Sequence, residues 1–233
     1  MADRFYTNFA LAPGPVIIQG AEAHHLATVR RFRPGDQVIL FNGDGCEYQA
    51  ELVVASKKNV SLTVLSVDKP QRELKYRLEI AAPLPKGDRG DFMIEKLTEL
   101  GVTDFVPLCT ERSIVHPHGA KLDRLRRTVI EASKQCGRNV LMRVREIANW
   151  CDYYCGAELP TLRWLGHTTS KEPANGLTLR ADTAIAIGPE GGFTEEEVAL
   201  ARNNGWKCIS LGARVLRVET AAIALAALAS NAG

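Results

Sequence analysis

The sequence predicts an α/β protein in two parts, a small β-barrel followed by an α/β domain on a largely parallel sheet. Three observations predict it. In the first third, apolar residues recur with period two: Val38 and Leu40; Tyr48, Ala50, Leu52 and Val54; Val60, Leu62 and Val64. That is the pattern of half-buried strands. From Leu78 onward, short apolar runs alternate with stretches of helical periodicity, which implies strand-helix units. Between the two textures lies "VDKPQRELKYR", polar and containing Pro70. A boundary placed there gives residues 1–70 and 73–233 as the two domains.

Taken in order, "AEAHHLATVRRF" (21–32) predicts one short helix with Ala23, Leu26, Ala27 and Arg30 along one side. "NGDG" (42–45) is a hairpin turn between two of the alternating runs, and the length suits about five or six strands. "LEIAAPL" (78–84) reads as a buried strand and "DFMIEKLTELG" (91–101) as a helix, with Met93, Leu97 and Leu100 inward and Gly101 closing it. "DFVPLC" (104–109) is a second strand. A helix at about 121–136 sets Leu122, Leu125, Val129, Ala132 and Cys136 inward and turns Arg124, Arg127 and Lys134 away. "TLRWLG" (161–166), "TAIAIG" (183–188) and "CISLG" (208–212) are short apolar runs ending in glycine, with helices at about 194–204 and 219–230. Ligands of parallel sheets bind beyond the carboxyl ends of the strands, so these three strands deliver three glycine-bearing loops to one rim.

Bulk properties exclude several classes. The 233 residues are 45% hydrophobic and 24% charged, ordinary for a globular protein. No apolar run approaches the roughly 20 residues of a membrane span, and "MADRFYTNFA" has no signal-peptide core, so a cytoplasmic location with no membrane partner is expected. The six cysteines, at 46, 109, 136, 151, 155 and 208, include no C-x-x-C pair. They read as reduced, mostly buried thiols with no metal site. The net charge of +2 conceals a basic stretch: from Lys121 to Arg145, eight bases face two acids. It reads either as a solvated helix face or as a polyanion footprint.

The chemistry concentrates in "AIAIGPEGGFTEEEVALA" (184–201). A strand, a glycine-rich turn and a helix form the layout of a phosphate cradle. Yet Glu195, Glu196 and Glu197 already occupy the positive end of the helix dipole, and neither a Walker loop nor a G-x-G-x-x-G fingerprint is present. Thr194 with Glu197 makes a capping box. Gly191 and Gly192 either supply positive φ or let backbone approach a ligand, and that ligand would be neutral or cationic. In "LGARVLRVETAAIALAALAS" (211–230), the alanine-rich helix is apolar on nearly every side and must be buried, within the fold or at a subunit interface. Before it, Arg214 and Arg217 punctuate apolar residues. Arg217 either pairs with nearby Glu219 or contacts substrate, and Glu219 or Thr220 caps the helix.

Together "IGPEGGFTEEE" and "LGARVLRVETA" resemble the paired C-terminal motifs of the ribosomal RNA small-subunit methyltransferase E family, of the SPOUT class of S-adenosylmethionine-dependent enzymes. The resemblance extends over nearly the whole chain in order: "RFYT" from Arg4, "HHLATVRRF" from His24, "PKGDR" and "EKLTELGV" (86–102), "ERSIV" (111–115) and "EASKQCGR" (131–138). The chain departs from the family pattern at Arg30 and Val218.

The resemblance implies a PUA-like, RNA-binding barrel, a SPOUT domain with a deep trefoil knot, and a homodimer with the cofactor site at the subunit interface. It implies that Leu165, Gly166, His167, Ile187, Gly188, Pro189, Glu190, Gly191, Gly192, Leu211, Gly212, Leu216 and Ala221 hold S-adenosylmethionine. That ligand carries a sulfonium cation and no phosphate, which suits the acidic helix start. It implies methylation of uridine N3 in 16S ribosomal RNA, recognised within the assembled small subunit. Arg217 is the candidate for stabilising charge on the ring, and Arg4, Arg30, Arg31, Lys86, Arg89, Arg112 and Arg138 are the candidate RNA contacts. The alternatives are another RNA site, transfer RNA or ribosomal, and a non-enzymatic RNA-binding assembly factor.

Overall fold

The computed structural model of the protein describes residues 3–29, 32–56, 59–113, 119–168, 170, 172–174 and 181–230. They form two compact units, Met1–Glu73 with Ser133–Leu141, and Leu74–Ala132 with Met142–Gly233.

The first unit is built on strands β1 (Arg4–Tyr6), β2 (Gly14–Gln19), β3 (Gln37–Phe41), β4 (Glu47–Ala55) and β5 (Asn59–Asp68), in the order β1-β3-β4-β5-β2. β1 runs parallel to β3, and the other pairs are antiparallel. The alternation holds: Val38, Leu40, Tyr48, Ala50, Leu52, Val60, Leu62 and Val64 are buried around one core with Phe5, Ile18 and Leu26. Val54 is the exception. The β4–β5 register shifts between Leu52 and Val54, so the extra residue turns Val54 outward, 57% exposed. The expected helix over 21–32 is a short one, α1 (Gly20–His24), running on into a π-helical turn at His25–Val29.

In the second unit, β6 (Leu78–Ala82), β7 (Asp104–Cys109), β8 (Arg143–Val144), β10 (Leu162–Gly166), β11 (Thr183–Ile187) and β12 (Lys207–Ile209) lie in the order β12-β10-β11-β6-β7-β8, all parallel, and β9 (Ala148–Asn149) pairs with β7. Every residue of β6 and of β11 is buried, as strands covered on both faces require. On one face, Ala184, Ala186 and Leu165 pack with Trp150 and Tyr153 of α4 (Trp150–Tyr153), Val198 and Ala201 of α5 (Glu195–Asn203), and Phe193 and Trp206. On the other, α6 (Val218–Ser230) packs on β6, β11 and α2 (Arg89–Glu99). Gly101 closes α2: its N–H donates to the Thr98 carbonyl, and Val102 N–H reaches that of Leu97, both at 3.1 Å. Leu97 and Val102 are fully buried beside this closure, while Leu100 is only half-buried.

The basic stretch falls largely on α3 (Gly119–Cys136) and the segment after it. Within the second unit, Lys121 and Arg124 pair with Asp91, Arg126 with Asp123 and Glu146, and Arg143 and Arg145 with Asp104. Within the first, Lys134 pairs with Glu22 and Arg138 with Glu73. Ion pairs thus hold most of these bases, while Arg124, Arg126, Arg127 and Arg143 remain exposed. The thiols also differ from expectation. Cys208 is buried, whereas Cys151 and Cys155 are exposed, because short α4 turns Trp150 and Tyr153 inward and leaves its neighbours outside.

Candidate active site

Gly166 at the end of β10 pairs with Ile187 of β11 on one side and with Ile209 of β12 on the other. The three loops therefore leave one edge of the sheet together, and a half-open cleft of about 370 Å3 lies among them. The β10 loop contributes Gly166, His167 and Thr168. The β11 loop contributes Ile187, Gly188, Pro189, Glu190, Gly191, Gly192, Phe193 and Glu195. From β12 and beyond come Ile209, Leu211, Gly212, Arg214, Val215 and Leu216, and from α6 Ala221 and Leu225. Arg112, on the turn after β7, completes the lining. Its character is mixed: aliphatic side chains, two exposed acids (Glu190 and Glu195) and two exposed bases (Arg112 and Arg214).

The glycines are there for different reasons. A Cβ at Gly188 would come within 2.9 Å of the Phe193 ring and 3.0 Å of the Phe193 nitrogen, so the turn could not fold back on itself. Gly192 and Gly212 hold φ of +69° and +101°, a region that side chains disfavour. At Gly191, a Cβ would stand 3.3 Å from Cδ of Arg112. The capping box forms as read: Glu197 N–H donates to Thr194 Oγ1 (3.1 Å), and Thr194 N–H to Glu197 Oε2 (2.8 Å). The other oxygen of Glu197 accepts from Glu111 N–H (3.0 Å), tying the turn after β7 to the start of α5.

Of the residues expected at the cofactor, Leu165 does not line the cleft. It is fully buried in the core on the α4–α5 face, because the side chains of successive strand residues alternate faces. The remaining members of that set all line it. Arg217 lies outside the lining, exposed, and of its two readings the pairing with Glu219 is not made among the described residues. Glu219 is buried in the first turn of α6, which starts earlier than expected, and it receives Arg89 Nη1 at 3.4 Å.

The candidate RNA contacts divide. Lys86 follows β6 and is exposed. Arg89 opens α2, and Arg112 follows β7. All three thus belong to the edge that carries the cleft. Arg4 and Arg138 are corrections, since both are buried within the first unit. Arg4 pairs with Glu47, donates to Asn139 Oδ1 and to the Arg138 carbonyl, and lies over the Phe41 ring. Arg138 Nη2 lies 2.6 Å from Glu73. Burial pushes the Glu47 carboxyl up, but Arg72 and Arg4 outweigh it and hold the carboxyl below its usual range. Arg30 and Arg31 lie outside the described residues.

Sequence reasoning missed Thr168, Phe193, Glu195, Ile209, Arg214, Val215 and Leu225 at the cleft and assigned Arg112 to RNA alone. Leu225 was findable, being one helical turn beyond Ala221. Arg112 was not, because its place depends on a turn tied to Glu197 and on the Gly191 carbonyl, both distant in sequence.

Residues 72–230 match the family model of an RNA methyltransferase domain, and residues 18–65 that of an RNA methyltransferase PUA domain. Ribosomal RNA small subunit methyltransferase E of Bacillus subtilis (strain 168) is 36% identical over 88% of this chain and 85% of its own.

The chain belongs to the ribosomal RNA small subunit methyltransferase E family.

The Synechocystis member is 35% identical, over 88% of this chain and 69% of its own. Among solved structures, the family member from Neisseria gonorrhoeae, bound to S-adenosyl methionine, superposes with a TM-score of 0.89 at 31% identity, covering 97% of this chain and 96% of its own. A Legionella pneumophila methyltransferase in complex with the same cofactor gives 0.90 at 34% identity, covering 98% and 97%. The PUA-like first unit and the parallel α/β second unit of SPOUT type are those the sequence led one to expect. Among the described residues, no helix is long and apolar enough to cross a membrane.

Proposed function

We propose that this chain transfers a methyl group from S-adenosylmethionine to N3 of a uridine in 16S ribosomal RNA, acting as a cytoplasmic homodimer on the assembled small subunit. The carrying observation is the cleft. Its volume falls within the range of small-molecule sites. Its aliphatic lining suits an adenosyl group, Glu190 and Glu195 suit sulfonium and ammonium charge, and Arg112 and Arg214 suit a carboxylate. A polyphosphate would meet the acids instead. The backbone of Gly188, Gly191, Gly192 and Gly212 and the side chains of Ile187, Leu211, Leu216 and Ala221 would hold the ligand, which supplies, when bound, a methyl group on a sulfonium.

This chain's own task is the uridine. Attack by N3 requires its proton to leave and places negative charge on the ring oxygens. A fixed guanidinium stabilises that charge, and Arg217, exposed and without an ion pair among the described residues, is assigned the role. Lys86 and Arg89 would contact phosphates and set the orientation of the RNA. Much of the rate would come from holding donor and acceptor in line. The family's trefoil knot belongs to the same proposal. In its favour, β10 lies between the later strands β11 and β12.

Titration calorimetry with S-adenosylmethionine tests the cofactor: binding is expected, and its absence would leave an RNA-binding assembly factor. Mapping methylated nucleotides in RNA from a deletion strain, with and without the gene restored, tests the substrate. Loss and recovery of one N3-methyluridine in 16S RNA is expected. A change confined to transfer RNA or the large subunit would overturn the assignment.

A further inference from the structure

Arg112 stands between two of the loops that the sequence motifs identify. Thr110–Ser113 is a tight turn: Ser113 N–H donates to the Thr110 carbonyl (3.1 Å), and Thr110 N–H to Ser113 Oγ (2.9 Å). The turn is pinned from outside by Glu197, which accepts from Glu111 N–H at 3.0 Å. Arg112 is thereby aimed across the mouth of the cleft. Its Nη1 donates to the Gly191 carbonyl at 2.7 Å, and its methylenes lie over Gly191, where an added Cβ would stand 3.3 Å from Cδ and press the side chain aside. Gly191 does not have positive φ, so what a larger residue at 191 meets first is the Arg112 side chain.

We propose that Arg112 is a latch on the cofactor cleft: a positioning residue that holds the Gly191 edge of the β11 loop in place and sets how long S-adenosylmethionine stays bound. The proposal rests on the cofactor reading above. A guanidinium-to-carbonyl bond is one of the stronger hydrogen bonds, and its loss should appear in the dissociation rate more than in the association rate.

The test is the release of bound, methyl-labelled S-adenosylmethionine from the full chain, chased with excess unlabelled compound. Arg112→Met keeps the methylenes and removes the donor, so release should quicken by about tenfold, with association nearly unchanged. Arg112→Lys restores one donor and should recover part of the retention. Gly191→Ala pushes the Arg112 side chain aside and should also quicken release, but add nothing once Arg112 is already Met. That non-additivity is the signature of a direct coupling between the two residues, and faster release at an unchanged melting temperature is what separates a latch from a merely structural contact. Thermal melting of each variant checks that it is folded. Equal retention by wild type and Arg112→Met, or additive effects in the double variant, would overturn the latch. A wild-type protein that takes up no label would overturn the cofactor reading itself, and the latch with it.

Discussion

Arg89 Nη1 lies 3.4 Å from Glu219 Oε1, and this pairing decides what Arg217 is free to do. Glu219 is the near carboxylate in the "RVLRVE" segment. With it turned toward α2, Arg217 has no ion pair among the described residues and remains exposed.

Arg217→Lys should therefore leave stability and cofactor affinity nearly unchanged. It keeps a cation but loses the planar fork that grips a carbonyl. The methyl-transfer step should slow by roughly 10²–10³-fold, read from single turnovers at saturating RNA and cofactor. A normal rate with weaker RNA binding would make Arg217 a positioning contact instead.

The cleft glycines should separate by mechanism. Gly188→Ala forces the turn off the Phe193 ring and backbone, which should cost about 1–3 kcal/mol of stability and abolish cofactor binding. Gly212→Ala meets open space but holds φ at +101°, a strain of about 1–2 kcal/mol, and should weaken binding while the protein still folds. Denaturant melts with calorimetry distinguish the two. Equal behaviour would mean that loop geometry is not what binds the ligand.

Asp104 is fully buried beside Arg77, Arg143 and Arg145. Burial pushes its carboxyl up, but the arginines, Arg143 foremost, hold it below the ordinary value of 3.8. A depressed carboxyl contributes stability that is present above its unfolded value and is lost as pH falls through the lower folded one. Asp104→Asn should lower stability at neutral pH and flatten the acid limb of a stability-versus-pH curve. Asp104→Ala removes the shared partner of three arginines that keep access to solvent, and should cost about 1–3 kcal/mol. An unchanged acid limb in Asp104→Asn would show that other carboxylates govern it.

Helix α6 is buried along Val218, Ala222, Leu225, Ala226 and Ala229, yet Ile223, Ala224 and Ala227 are half-buried and Leu228 is 39% exposed. An apolar helix with one open side suits a self-complementary two-fold contact. Sedimentation at micromolar concentration should give a dimer, and Leu228→Asp should shift it toward monomer. A wild-type monomer that binds cofactor would contradict the homodimer.

The longer strands and helices of the second unit were legible because their periodicity is local, as in "TAIAI" and the capped "TEEE" start of α5, whereas the two-residue β8 and β9 and the single turn of α4 are too short to show one. The cleft loops were legible for the same reason, as each glycine-ended run reports its own turn. What stayed hidden depends on distance in the chain. Arg4 and Arg138 look like surface bases until Glu47 and Glu73 are seen beside them. Leu165 sits next to a lining residue in sequence and on the opposite face in space. Arg217 and Glu219 are near neighbours that do not pair, because a carboxylate in the first turn of a helix is aimed by the helix and not by its neighbour.

Ser133–Leu141 belongs to the first unit, where Asn139 and the Gly137 and Arg138 carbonyls receive Arg4 and Arg72. The PUA-like unit is thus written in two separated passages of the gene, with part of the second unit between them. A recombination breakpoint near codon 73 would hand the descendant a first unit missing its own partners. Such a protein cannot trade its N-terminal half as a cassette. Any drift in Arg72 must be answered at Gly137, 65 codons downstream, and any drift in Arg4 at Arg138 and Asn139, 134 and 135 codons downstream, so the two passages are inherited, and must adapt, as one.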